Sequence, residues 1–202
     1  MARRCRLQLY RKVQAVEKIF RSLDRNILKF QETTALRCIP GCGVCCTKPG
    51  IEAAPLEFLP MAYHLFVQGR AVEIFEMLSR IDAASPCIFY DRLGPVDQPG
   101  RCLEHPHRGL ICRLFGFSGT ADRNGVLHLS TCRPLKEADP QRYLDLDVAV
   151  SKGLSLPRGP YYYMMLSAVD AELMTYYPLN TAIRKSLETV LGYYTYRRRR
   201  AG

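Results

Sequence analysis

A chain of 202 residues that is 48% hydrophobic and 24% charged is too apolar to stay disordered and long enough for one sizeable core, but short for two full domains. Its net charge of +10 is uneven: residues 1–37 carry ten Lys/Arg and three acids, residues 184–202 six and one, and the stretch between thirteen and fifteen. A membrane span needs about 18 consecutive apolar residues, and even the 161–166 run is soon interrupted by Asp170 and Glu172.

The basic start of the chain lacks a following apolar run, because Arg11, Lys12, Glu17 and Lys18 interrupt it. A cytoplasmic protein is expected. In a reducing compartment nine cysteines do not read as a disulfide framework, and the odd number fits one badly.

In chain order, Leu9, Val13, Val16, Phe20, Leu23, Ile27 and Phe30 are spaced by fours and threes and share one stripe of a helix over about 6–33, which Ile19 and Leu28 widen. Packing of that stripe within a monomer is favoured over a coiled-coil dimer. A Cys-, Gly- and Pro-rich loop follows from Cys38 to Cys46, then helices over about 55–68, closed by Gly69, and 71–82. Residues 83–132 read as irregular structure with short strands, a loop over 94–100, and a hairpin around Asn124-Gly125. Helices are expected again over about 140–152, capped by Asp139 and ended by Gly153, and over 160–176 and 180–197. The fold class is mainly α, helices surrounding a small irregular cysteine-rich metal-binding core with a short hairpin. We divide it into an N-terminal basic amphipathic helix (1–37), a cysteine-cluster region (38–133) and a C-terminal helical region with a basic tail (134–202), folded together.

Eight cysteines fall between Cys38 and Cys132: Cys38-x3-Cys42-x2-Cys45-Cys46, then Cys87, Cys102, Cys112 and Cys132. A two-residue spacer lets two thiolates reach one metal, so Cys42 and Cys45 are expected partners, joined by Cys38 and one distant cysteine, with Cys112 a candidate. Neighbouring side chains diverge, so Cys46 should turn away from a metal held by Cys45, toward a second centre or into the core. Arg37, Arg101, Arg113 and Arg133 each adjoin a cysteine and could offset thiolate charge. Cys5 reads as a bystander. His105 and His107 lie between two cysteines but fit surface or hydrogen-bonded roles better, and His64 and His128 carry no signal. Zinc or iron, the latter as an iron–sulfur cluster, suits such a donor set.

These residues resemble the YkgJ-type cysteine-cluster family, a zinc- or iron-chelating domain. The resemblance rests on Cys38, Cys42, Cys45 and Cys46, then Cys87, then Gly100-Arg101-Cys102, Arg108, Cys112-Arg113-Leu114-Phe115 and Cys132. His105 stands where the family has Tyr, and Gly109 and Gly116 where it has Pro. The resemblance implies metal chelation and no particular reaction. Flagellin lysine methylases carry a similar cluster, which keeps a methyltransferase association open, although no glycine-rich cofactor loop is visible. The spacing Cys38-x3-Cys42-x2-Cys45 also matches radical S-adenosylmethionine enzymes, whose alternating strands and helices are not expected here. Glu52, Glu57 and Glu104 could serve a zinc hydrolase as a base but read as surface acids. A zinc-stapled module binding nucleic acid or an acidic protein through its basic ends is the remaining alternative.

Overall fold

In a computed structural model, which describes residues 9–82, 84–92 and 100–201, the apolar stripe forms helix α1 (Leu9–Thr34). All seven stripe residues and Ile19 are buried in the chain's own core, whereas Leu28 is half exposed and does not widen the stripe. Residues 6–8, Cys5, the 94–99 part of the expected loop and the side chains of 197–200 lie outside the described residues. At its C-terminus α1 stops where Ala35 takes φ 50, a left-handed conformation, and the hydroxyl of Thr34 accepts the Leu36 amide.

The remaining elements follow the sequence expectation in outline and differ at the ends. Helix α2 (Val44–Thr47) is a single turn inside the cysteine loop, preceding strand β1 (Glu52–Ala53). The expected helix over 55–68 begins as a 3-10 turn (Pro55–Phe58) and continues as α3 (Leu59–Val67), with Gly69 at φ +75 closing it. Helix α4 (Ala71–Arg80) is followed by β2 (Tyr90–Arg92), β3 (Gly100–Cys102), a 3-10 turn (His105–His107) and α5 (Leu110–Leu114). The hairpin is β4 (Ser118–Ala121) with β5 (Leu127–Ser130), turned by Asp122, whose carboxylate accepts the Asn124 and Val126 amides.

After Cys132 comes α6 (Arg133–Ala138), a short helix not anticipated from the sequence. Helix α7 (Pro140–Ser151) is capped as expected, with the Asp139 carboxylate accepting the Arg142 amide at 3.0 Å. The expected helix over 160–176 is instead α8 (Gly159–Val169) and a separate 3-10 turn (Glu172–Met174). Asp170 causes the break: it is extended, accepts the Glu172 amide, and pairs with Lys12 of α1 at 2.5 Å. Strand β6 (Tyr177–Pro178) then pairs antiparallel with β1 and leads into α9 (Leu179–Ala201).

Among the described residues the sheets are three two-stranded antiparallel ladders, β1–β6, β2–β3 and β4–β5. One hydrophobic core runs from Leu9 to Val190, with α3 packed between α1 and α9, and α8 against α1. The cysteine region sits on this helical frame, so its loops inherit their positions from elements far away in sequence.

Candidate metal centre

The eight cysteines between Cys38 and Cys132 line a single internal cavity of about 110 Å³. Phe58, Phe89, Phe117 and Ile183 close it on the apolar side, and His105 and Arg108 reach it from the polar side. Five chain segments meet there. Cys38 and Cys42 come from the loop, Cys45 and Cys46 from α2, Cys87 from the approach to β2, Cys102 from the end of β3, Cys112 from α5, and Cys132 from the N-cap of α6.

Two glycines let the loop approach the β2–β3 ribbon. A Cβ on Gly43, which has φ +57, would lie 2.6 Å from the Tyr90 ring and 2.8 Å from the Gly100 carbonyl, and one on Gly100 would lie 2.2 Å from Tyr90. This contact aligns the loop thiols with Cys102, which pairs with Tyr90 across the ribbon.

The later thiols are positioned through their chain neighbours. Asn180, buried at the start of α9, accepts the Ile88 amide at 3.0 Å and donates to the carbonyls of Ser85 and Pro86, and the Cys87 amide donates to the Cys46 carbonyl at 2.9 Å. Glu57, fully buried, accepts the Ala54 amide at 2.9 Å and the Ile111 amide at 2.7 Å, which fixes α5 just before Cys112. On its other side Arg113 pairs with Asp24 of α1 and donates to the carbonyls of Arg108 and Pro106. Thr131 donates to the Gly116 carbonyl at 2.9 Å beside Cys132.

The thiols fall into two electrostatic neighbourhoods. Burial, then Cys42, Cys45 and Cys132, pushes Cys38 up; burial, with Cys42 and Cys45 nearby, does the same to Cys132. Hydrogen bonds shared with Cys102, Cys45 and Cys87 push the Cys46 thiol up and lower Cys45 and Cys102. Cys112 is raised by burial, then by Cys87 and Glu57. Cys45 touches both groups. Cys45 and Cys46 are neighbours on one turn of helix, and both line the same cavity.

Arg37, Arg101, Arg113 and Arg133 do not act as the sequence suggested. Arg101 pairs with Asp91, Arg113 with Asp24 and Arg133 with Glu137, and Arg37 is exposed. Arg108 lines the cavity together with Arg113, and it is Arg108 that lowers Cys45 and Cys102; it bonds the His105 carbonyl at 2.8 Å and its ring at 3.2 Å. His107 stacks on His64 with ring centroids 3.7 Å apart, and His128 is held by Asp147 at 3.1 Å. The surface reading of the acids is corrected too, because Glu57 and Glu104 are buried, the latter paired with Arg70 at 2.8 Å.

Among the described residues no three Cys, His, Asp or Glu side chains converge closely enough to hold one ion. The cavity thus gathers donors without closing them on a point. The donor chemistry nonetheless fits, since thiolates are the ligands that zinc and iron–sulfur centres select.

Comparison with known proteins points to a family. Residues 37–134 match the CxxCxxCC family, described as "Putative zinc- or iron-chelating domain". This segment, a little under half of the chain, is similar to that family. Searches of curated proteins and of solved structures returned no match. Within the CxxCxxCC segment, the two positions that depart from the expected prolines have local causes. A Cβ on Gly109 would lie 2.6 Å from the Phe58 ring, and Gly116 has φ +87, which proline cannot adopt.

Proposed function

We propose that the protein holds zinc or iron in two four-thiolate centres, Cys38, Cys42, Cys45 and Cys132 in one and Cys46, Cys87, Cys102 and Cys112 in the other. The observation that carries this reading is the single cavity lined by all eight thiols. The division follows their neighbours: Cys42 acts on both Cys38 and Cys132, while Cys46 bonds Cys102 and Cys87 and these two act on Cys112, with Cys45 acting on both groups. Cys132 therefore replaces Cys112 as the distant partner of the loop thiols. Arg108 supplies positive charge to a centre whose ligands are anionic. Cys38 is exposed, which supports exchange of the ion with an outside acceptor and so a role in metal handling.

The test is metal per chain and the absorption spectrum of anaerobically purified variants. Cys42→Ser and Cys45→Ser should lose metal, Cys132→Ser should lose one share, and Cys112→Ser the other share, with Cys5→Ser silent. Full metal content in Cys42→Ser and Cys45→Ser would sink the chelation reading. Total loss in every cysteine variant from Cys38 to Cys132 would replace two centres with one.

A further inference from the structure

Beside the thiol cavity lies a second, larger cavity of about 710 Å³, within the range of about 300–1,000 Å³ usual for sites that enclose a small molecule. Cys45 and Cys132 line both cavities, so the groove runs from the surface to the thiols. Its body is apolar: Ile111, Leu114 and Phe115 from the α5 segment, Pro134 from α6, and Pro160 and Tyr163 from α8.

One wall is different. Ser118 and Thr120 alternate along β4 and therefore share a face, and Ser130 of β5 stands opposite Ser118 in the ladder. All three line the groove, with Thr47 and Thr131, so the apolar body is bordered by a strip of hydroxyls. Its charged lining residues are Lys48 and Arg133, and no Asp or Glu is among the described residues that line it. Arg133 is already engaged by Glu137 at 2.6 Å. The Lys48 ammonium lies 5.4 Å from the Phe115 ring centroid and has no carboxylate partner among the described residues.

We infer that this groove binds an organic acid with an apolar body, an alkyl or aryl carboxylate whose head meets Lys48 at the rim and whose body runs inward toward Cys45 and Cys132. The charge balance selects an anion over a cation. A single uncommitted ammonium, backed by hydroxyl donors, matches a monoanion, since an ammonium is a point charge that does not require the planar fork of arginine. The six apolar side chains then cover the hydrocarbon, whose burial is the main favourable contribution to binding. Because the ammonium, the hydroxyls and the apolar side chains that would hold the acid are not thiols, its binding is tested separately from the chelation reading, although Cys45 and Cys132 line the inner end and a bound acid would cover them.

The test is calorimetric titration of the full chain, purified with its metal, against octanoate and, as the opposite-charge control, octylammonium, with metal per chain assayed in each sample. Octanoate should bind at one site per chain and octylammonium at least tenfold more weakly. Lys48→Gln should weaken octanoate about tenfold, the loss expected for one charge-assisted hydrogen bond. Ser118→Trp and Thr120→Trp, which fill the groove from half-buried Ser118 and exposed Thr120, should each abolish binding at unchanged metal content. Absence of saturable octanoate binding by the wild-type chain overturns the inference whether or not metal is present. Equal affinity for octylammonium, or binding unaffected in both tryptophan variants, overturns it as well. A chain that purifies without metal yet binds octanoate supports the groove and counts against chelation alone.

Discussion

Glu57 is a carboxylic acid whose surroundings change its chemistry. Full burial without a cation raises its carboxyl from 4.5 to about 7, against the opposing pull of two backbone amides. A shift of that size corresponds to roughly 3 kcal/mol. The folded state holds this proton more tightly than the unfolded chain, so stability from this group is full below about pH 4.5 and is lost as pH rises through about 7. Glu57→Gln should remove that dependence. Denaturant melts of wild type and variant at pH 4.5, 6 and 8 check it, and a wild-type-minus-variant difference that stays flat across this window would refute the assignment. The same side chain anchors α5 through the Ile111 amide, so its effect on Cys112 is one of position.

At the scale of elements, the frame is set by faces. Leu23 on α1 is fully buried and Leu28, five residues on, is half exposed, so the two leucines separate burial from helix propensity. Leu23→Ala should cost about 2–5 kcal/mol through lost contacts and a cavity. Leu28→Ala should stay within about 0.5 kcal/mol. Chemical denaturation of both variants measures the difference, and equal losses would mean that Leu28 is covered in solution, as in a dimer through α1. Helix α8 shows the complementary lesson, because an apolar pattern extending toward residue 176 is cut by the Asp170 carboxylate, which bonds both Lys12 and the following turn.

For the whole molecule, the helices form one core while the thiol segments are joined by little regular structure. The β2–β3 ladder has three residue pairs, and hydrogen bonds from the side chains of Asn180, Glu57 and Thr131 tie down the rest. A structural zinc contributes on the order of 10 kcal/mol to folding, comparable with the total stability of a domain, about 5–15 kcal/mol. Removing the metal with a chelator should therefore lower the melting temperature and open the thiol-bearing segments 38–47, 100–115 and 131–133 first, with the α1–α3–α9 frame outlasting them. Hydrogen exchange with and without chelator checks this, and protection of the cysteine segments that is unchanged after metal removal would show that the frame alone orders them.

The sequence by itself determined the helical frame and the kind of chemistry. Period-3.6 stripes such as that of α1, turn residues such as Asn124-Gly125, and caps such as Asp139 act over a few residues, and thiol spacing names a donor class without any knowledge of the fold. Tertiary structure decided what depends on distant neighbours. It turned Glu57 from an expected surface acid into a buried anchor, put Arg108 at the thiols where the adjacent arginines pair with Asp91, Asp24 and Glu137, and brought Cys132 beside the loop. It also opened the groove above Cys45 and Cys132, whose walls come from α5, α6, α8 and the hairpin. The physical reason is that burial and ion pairing are properties of the space around a side chain, and that space is filled by segments whose meeting only the packed core fixes.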